Sequence, residues 1–265
     1  MRMYQVDAFT DRPFSGNPAA VLVPEDDLPE VLMGAIAQEN NLSETAFARA
    51  RPDGAWDLRW FAPAHEVDFC GHATLATAHV LMTEIGAEGP LVFHTRIGPL
   101  RVVQSGDGYR MTIPRLVPEP LEALPAEIAA GFDSPPVAVF RNFENLFADL
   151  GSAAAVRAFV PDLATLAGLG RVGLVVTGQE AEDGSADFVS RYFVPGAGIP
   201  EDPVTGSIHA TLVPYWAGVL GRRDLLAYQA SARGGWLDCA LSEDHVTLTG
   251  NAVTFMEATL FLPTP

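Results

Sequence analysis

Lysine is absent from this chain of 265 residues, whose 16 basic residues are all arginine. Pyridoxal-phosphate enzymes and class I aldolases need a lysine amine for the Schiff base that stabilises their carbanions, so both classes are excluded. Positive charge is scarce altogether, because 33 acidic residues leave a net charge of −17. Phosphate backbones and anionic membrane surfaces are gripped by clustered basic side chains, and neither nucleic acid nor membrane is expected as a partner. Cysteine is as sparse. Cys70 and Cys239 lie too far apart for a zinc motif and are too few for a disulfide framework, which fits a reduced, cytoplasmic protein. No apolar run approaches the ~18 residues of a membrane span, and the opening MRMYQVDAFT lacks the apolar core of a signal peptide.

What is plentiful is core-forming material, with 48% hydrophobic residues against 18% charged, in a chain long enough for two modest domains. YQVDAFT, AAVLV, ETAFARA and WDLRWFAP carry strand patterns, and LPEVLMGAIAQ has helical spacing. Residues 71–86, GHATLATAHVLMTEIG, contain no proline, are apolar on nearly every face and close on a glycine, which predicts a buried helix. LVFHTRIGPLRVVQ and YRMTIP, separated by SGDG, predict a strand meander with a tight hairpin. Proline recurs four times over 112–125 (TIPRLVPEPLEALP), so the domain boundary is placed there, with domains at 1–115 and 116–265 and a C-terminal strand free to return to the first. The second half repeats the order of the first. VGLVVTG and DFVSRYFVP read as strands, GSIHATLVPYWAGVLG from Gly206 as an apolar helix, and LLAYQA, GGWLDCALS, HVTLTG and FMEATLFL as strands after it. That repetition predicts a duplicated unit, and two such domains facing one another leave a cleft suited to a ligand.

Each apolar helix is expected to start just after a loop, at Gly71–His72 and at Gly206–Ser207. A helix N-terminus presents unpaired N–H donors and partial positive charge, so two of them aimed at one cleft would hold an anion without lysine. The same letters also describe ordinary helix starts. Glu44, in NNLSETAF, reads by itself as a surface glutamate beside turn-forming Ser43 and Thr45, and Asp202, in GIPEDPVTGS, as a turn opener before proline. His79 and His209 read as residues packed near the core. No histidine pair has the i, i+4 spacing beside a carboxylate that marks a zinc helix, so no metal site is expected.

Four segments tie these residues together: VDAFTDRPFSGNPAAVL (6–22), NLSETAF (41–47), WFAPAHEVDFCGHATLATAHVL (60–81) and RYFVPGAGIPEDPVTGSIHATLVPYW (191–216). In content and order they resemble the signature blocks of the PhzF-like family of phenazine biosynthesis. The resemblance implies an α+β fold of the diaminopimelate epimerase kind, with two pseudo-repeated domains, each a curled, mostly antiparallel sheet around a central helix. It implies that Glu44, His72, Asp202 and Ser207 are catalytic and that Asn17, Gly71, Thr205 and Gly206 contact substrate, without a cofactor. It also implies a homodimer, although no surface stripe in the sequence marks an interface.

The implied reaction is a proton and double-bond shift on a small unsaturated carboxylic acid, as in the isomerisation of trans-2,3-dihydro-3-hydroxyanthranilate. A base for a C–H bond needs raised basicity, which burial in a closed cleft would supply. The electrons released from carbon need a sink, and a conjugated acid brings its own. The related epimerases use two cysteines instead. Cys70 stands where one is expected and Asp202 near the place of the other, so epimerisation ranks second, with Cys70 read as a small buried apolar residue. A non-catalytic binding protein on the same scaffold is the third reading.

Overall fold

The computed structural model describes residues 1–180 and 184–262 and divides into two compact units. The first holds Met1–Thr112 together with the described residues from Leu248 onward, and the second Ile113–Thr247. The break falls at 112/113, and the described residues from Leu248 onward lie with the first unit.

In the first unit the elements run β1 (Arg2–Ala8), β2 (Asn17–Leu22), α1 (Glu30–Asn40), β3 (Glu44–Ala50), β4 (Trp56–Phe61), β5 (Glu66–Val67), α2 (Gly71–Thr83), β6 (Leu91–Thr95), β7 (Gly98–Ser105) and β8 (Gly108–Pro114). The second continues with β9 (Glu119–Pro120), α3 (Ala126–Ala129), β10 (Ala138–Arg141), β11 (Asn145–Asp149), α4 (Ala153–Ala158), α5 (Leu163–Ala167), β12 (Gly173–Gln179), β13 (Phe188–Val194), β14 (Ile199–Asp202), α6 (His209–Leu220), β15 (Asp224–Gln229), β16 (Gly235–Leu241) and β17 (His245–Gly250). The final strand, β18 (Ala252–Thr259), pairs antiparallel with β1.

Strand pairing repeats between the units. β1–β2 is antiparallel, β2–β3 parallel, β3–β4 antiparallel, β4–β6 parallel and β6–β7 antiparallel. The series β10–β11, β11–β12, β12–β13, β13–β15 and β15–β16 alternates identically. In each unit a two- to four-residue strand pairs antiparallel just before the central helix, β5 on β4 and β14 on β13. Each unit is therefore a mixed, mostly antiparallel sheet with α2 or α6 inserted at the same point, as a duplicated unit requires.

Helix α2 is buried because no face of GHATLATAHVLMT is polar enough for water: ten of its 13 residues are buried, and it packs on β1, β2, β3 and β18. Its two buried threonines turn their hydroxyls onto the helix, Thr74 to the Cys70 carbonyl at 2.6 Å and Thr77 to that of Ala73 at 2.7 Å. On another surface of the sheet, α1 buries Met33 and Ile36 in a cluster with Met3, Leu22, Phe47 and Phe61. The second unit has a cluster of its own, built around Val156, Leu166, Leu174 and Phe193.

Helix α6 starts at His209 rather than Gly206. Residues 206–208 form a tight turn with i→i−3 bonds, His209 N–H to Gly206 O and Ala210 N–H to Ser207 O, both at 3.1 Å. The helix also contains Pro214, which cannot donate to the carbonyl of Ala210. That carbonyl accepts instead from Leu116 N–H at 2.9 Å, so the proline-rich segment supplies the bond the helix lacks. Downstream, Trp216 stacks on Phe188 and donates its indole N–H to Thr177 Oγ1 at 2.9 Å.

Candidate active site

Three element starts in the first unit bring their opening residues together. β2 opens on Asn17 and lies parallel to β3, which opens on Glu44, with Ala19 opposite Glu44 in register. Gly16 makes this approach available: its φ is +65°, and a Cβ there would collide with the Ala8 carbonyl oxygen. The third start is α2, where Cys70 is the extended cap residue, Gly71 the first helical residue and His72 the second.

His72 is the centre of this group. Asn17 Nδ2 lies 3.2 Å from His72 Nδ1, and an amide NH2 can only donate, so Nδ1 accepts and the ring proton sits on Nε2. Nε2 in turn lies 3.3 Å from Glu44 Oε2. Burial pushes the imidazole down to about 3, so it is neutral at physiological pH, and the contact to Glu44 is a hydrogen bond from a neutral ring rather than an ion pair. Cys70 Sγ lies 3.4 Å from the same Nδ1 and 3.9 Å from Nε2, against the edge of the ring. His72 and Cys70 are buried, whereas the Glu44 side chain keeps 12% exposure, enough to meet a ligand.

Glu44, Cys70 and His72 offer three ligand atoms within 4.8 Å of one another, a set that a soft divalent cation would accept by type. A metal-bound imidazole, however, keeps its proton on the nitrogen facing away from the metal and donates it outward. Here Nδ1 faces the Asn17 amide donor and Nε2 faces Glu44, so the ring proton lies between His72 and Glu44.

The second unit gathers Asp202, Thr205, Gly206 and Ser207 in the loop from the end of β14 to α6. Asp202 is buried, and Thr205 Oγ1 donates to its Oδ2. The backbone of Thr205 is held by side chains at both ends. Its N–H donates to Gln229 Oε1 at 2.8 Å, and its carbonyl accepts from His209 Nδ1 at 2.9 Å. Gln229 Nε2 also donates to the Asp202 carbonyl at 2.8 Å, and Ser231 Oγ to that of Pro203 at 2.8 Å.

The resemblance to the family points to the eight residues of these two groups but not to Gln229, a glutamine at a strand end with no motif around it. Cys70, read as a small apolar residue, is buried and also a neighbour of His72. His209 is fully buried, and its spacing of four from Thr205 is the one available signal of their contact. Cys239 sits buried in β16 with its Sγ on the Leu237 carbonyl, and burial raises its thiol pKa, as expected of an inert structural cysteine.

The family model described as phenazine biosynthesis-like protein matches residues 6–258. The chain belongs to the phenazine biosynthesis-like, or PhzF, family. An uncharacterized isomerase of Pseudomonas aeruginosa is 45% identical over 254 residues, covering 96% of this chain and 95% of its own. A crystal structure of a PhzF-family protein from Enterococcus faecalis superposes with a TM-score of 0.92 at 42% identity, covering 98% of this chain and 99% of that one. A probable proline racemase from Agrobacterium radiobacter, solved with bound carbonate, shares the fold at a TM-score of 0.65 and 14% identity, covering 99% of this chain and 93% of that one. The PhzF relatives include proteins named isomerases, and the α+β fold is common to them and to proline racemase-like structures. No helix among the described residues is long and apolar enough to cross a membrane.

Proposed function

We propose that this chain is a cofactor-independent isomerase in which Glu44 removes a proton from one carbon of a small unsaturated carboxylic acid and returns it to another carbon of the same face. The observation that carries this reading is the hydrogen bond from neutral His72 Nε2 to Glu44 Oε2 at 3.3 Å, fixed from behind by Asn17. A neutral N–H donor orients a carboxylate without quenching its charge, as a base for a C–H bond requires. When the proton leaves carbon, its bonding pair enters the conjugated system of the acid. Reprotonation at the far end of that system shifts the double bond with no change of oxidation state.

The start of α2 at Gly71 and the loop carrying Asp202, Thr205, Gly206 and Ser207 are assigned to binding the substrate carboxylate and polar groups, since backbone N–H groups at a helix opening favour an anion. The substrate we favour is trans-2,3-dihydro-3-hydroxyanthranilate or an acid with the same conjugated arrangement, as the resemblance to the phenazine-biosynthesis family implies.

Epimerisation through a thiol is the second reading, favoured by Cys70 Sγ at 3.4 Å from His72 Nδ1 and by the fold shared with a proline racemase. It needs a second thiol. Cys239, buried against its own strand with a raised pKa, is a poor one.

The deciding experiment incubates the protein in heavy water with trans-2,3-dihydro-3-hydroxyanthranilate and a panel of unsaturated and enolisable amino and hydroxy acids, following deuterium uptake by mass spectrometry. Exchange lost in Glu44→Gln and kept in Cys70→Ser supports the isomerase. Exchange lost in Cys70→Ser and kept in Glu44→Gln supports the epimerase, and binding without exchange supports a non-catalytic role.

A further inference from the structure

We infer that Gln229 and His209 are positioning residues that lock Thr205, and with it the orientation of the Gly206 and Ser207 amides, for binding substrate. The inference rests on the proposed role of that loop.

Loop backbone groups ordinarily bond to other backbone or to water. At Thr205 both are taken by side chains from two different elements, Gln229 at the end of β15 and His209 at the start of α6. With N–H and carbonyl both held, the peptide planes on either side of Thr205 are fixed. The amides that follow, at the turn into α6, inherit that geometry.

Burial makes these two residues more than core filler. A primary amide out of water is costly unless its hydrogen bonds are met, and fully buried Gln229 places all of its bonds on the loop: Asp202 O and Thr205 N–H at 2.8 Å and Thr205 Oγ1 at 3.3 Å. A leucine of similar size would fill the space without that cost. His209 is fully buried too; Nδ1 donates to Thr205, whereas Nε2 has no hydrogen-bond partner among the described residues. An apolar residue would avoid the orphaned nitrogen. What each polar side chain adds over an apolar one is the hold on Thr205.

The same hold reaches Asp202. Gln229 bonds its carbonyl and Thr205 Oγ1 bonds its carboxylate, so main chain and side chain of this buried acid are referenced to one frame. A preformed set of donors of this kind acts on substrate without reorganising, and its loss is felt in turnover as well as in affinity.

The test compares Gln229→Leu, Gln229→Glu, His209→Asn and His209→Gln with the parent protein. Asparagine places an amide donor where Nδ1 sits, whereas glutamine places it nearer the position of Nε2. Two readouts are taken: amide hydrogen exchange over 203–208, and kcat and KM on the acid that shows Glu44-dependent deuterium uptake.

Folded Gln229→Leu is expected to raise exchange in 203–208 at least about tenfold while β12 and β16 are unchanged, and to lower kcat/KM by roughly 100-fold with part of the loss in kcat. His209→Asn should stand nearer to the parent than His209→Gln by about tenfold. Folded variants with altered exchange but parental kcat and KM would overturn the positioning role and leave the isomerase reading intact. If no acid shows Glu44-dependent uptake, the isomerase reading falls and this inference falls with it. Should both Gln229 variants fail to fold, the histidine pair decides, and equal kinetics in His209→Asn and His209→Gln overturn the inference.

Discussion

Replacing Asn17 with aspartate should turn the imidazole of His72 around electronically while hardly altering its shape. In the parent, the Asn17 amide donates to Nδ1 at 3.2 Å and so places the ring proton on Nε2, facing Glu44 at 3.3 Å. An aspartate oxygen in the same place can only accept, which favours a proton on Nδ1. The ring would then lie between two carboxylates. A unit negative charge about 3.2 Å from the ring is worth about 5 kcal/mol at an effective dielectric of about 20. At 1.36 kcal/mol per pKa unit this raises the imidazole by about three to four units, less whatever the new carboxylate loses by its own burial.

From a starting value of about 3, His72 should therefore titrate near pH 6 in Asn17→Asp. The assay is long-range 1H–15N spectroscopy of the imidazole nitrogens as a function of pH. The parent should show one neutral tautomer, protonated at Nε2, from pH 5 to 8. The variant should show a titrating ring and proton exchange reduced by at least about 100-fold, because Glu44 now faces an imidazolium or a bare lone pair. Asn17→Leu removes the donor without adding charge and should leave the ring neutral. If His72 in Asn17→Asp keeps its Nε2 proton and does not titrate above pH 4, then Asn17 does not set the tautomer and the proton placement between His72 and Glu44 is refuted.

The remaining predictions concern stability. Burial holds His72 at about 3 and His209 at about 4, against 6.5 in the unfolded chain, so between these limits the unfolded state binds protons that the folded state refuses. Their contribution is complete above about pH 6.5 and is lost as pH falls, at roughly 1.4 kcal/mol per unit for each histidine, which urea titrations at pH 7 and pH 5 would detect. His209→Asn should remove about half of that slope, and equal stability at the two pH values would refute the burial argument. Thr177→Val should cost about 2–4 kcal/mol, because the buried Thr177 hydroxyl accepts from Trp216 Nε1 and donates to the Val189 carbonyl at 2.9 Å, and both partners would lose their bond. Thermal unfolding checks this, and Thr177→Ser should recover most of the loss.

Much of the architecture is legible in residue patterns because the decisive elements are extreme. Helix α2 is apolar on every face and can only be interior. The strands flanking it alternate or cluster apolar residues cleanly, and the order of strands and helix repeats in the second half. Helix α6 begins three residues later than its composition suggests, because 206–208 make a tight turn whose residues would suit a helix equally well. Residues 119–167 carry little pattern, and the reason is physical. β9 has two residues and α3, α4 and α5 have four, six and five, too few turns for a 3.6-residue period to appear.

The site is legible only through motif resemblance. Glu44 stands in a polar turn that looks like any surface turn, and its place beside Asn17 and His72 comes from the parallel pairing of β2 with β3, which no local pattern encodes. Gln229 lies farther still from view, since its bonds cross 24 and 27 residues of chain.

The pairing of β1 with β18 has a consequence for how the protein comes into being. Those two strands stand at opposite ends of the sequence, hydrogen-bonded from Arg2–Thr259 to Ala8–Ala252. During synthesis the first unit to leave the ribosome would wait, one edge open, until the whole of the second had been made. A released chain ending before residue 252 should accordingly expose β1 to chaperones or proteases, while the residues from 113 to 247 are already protected.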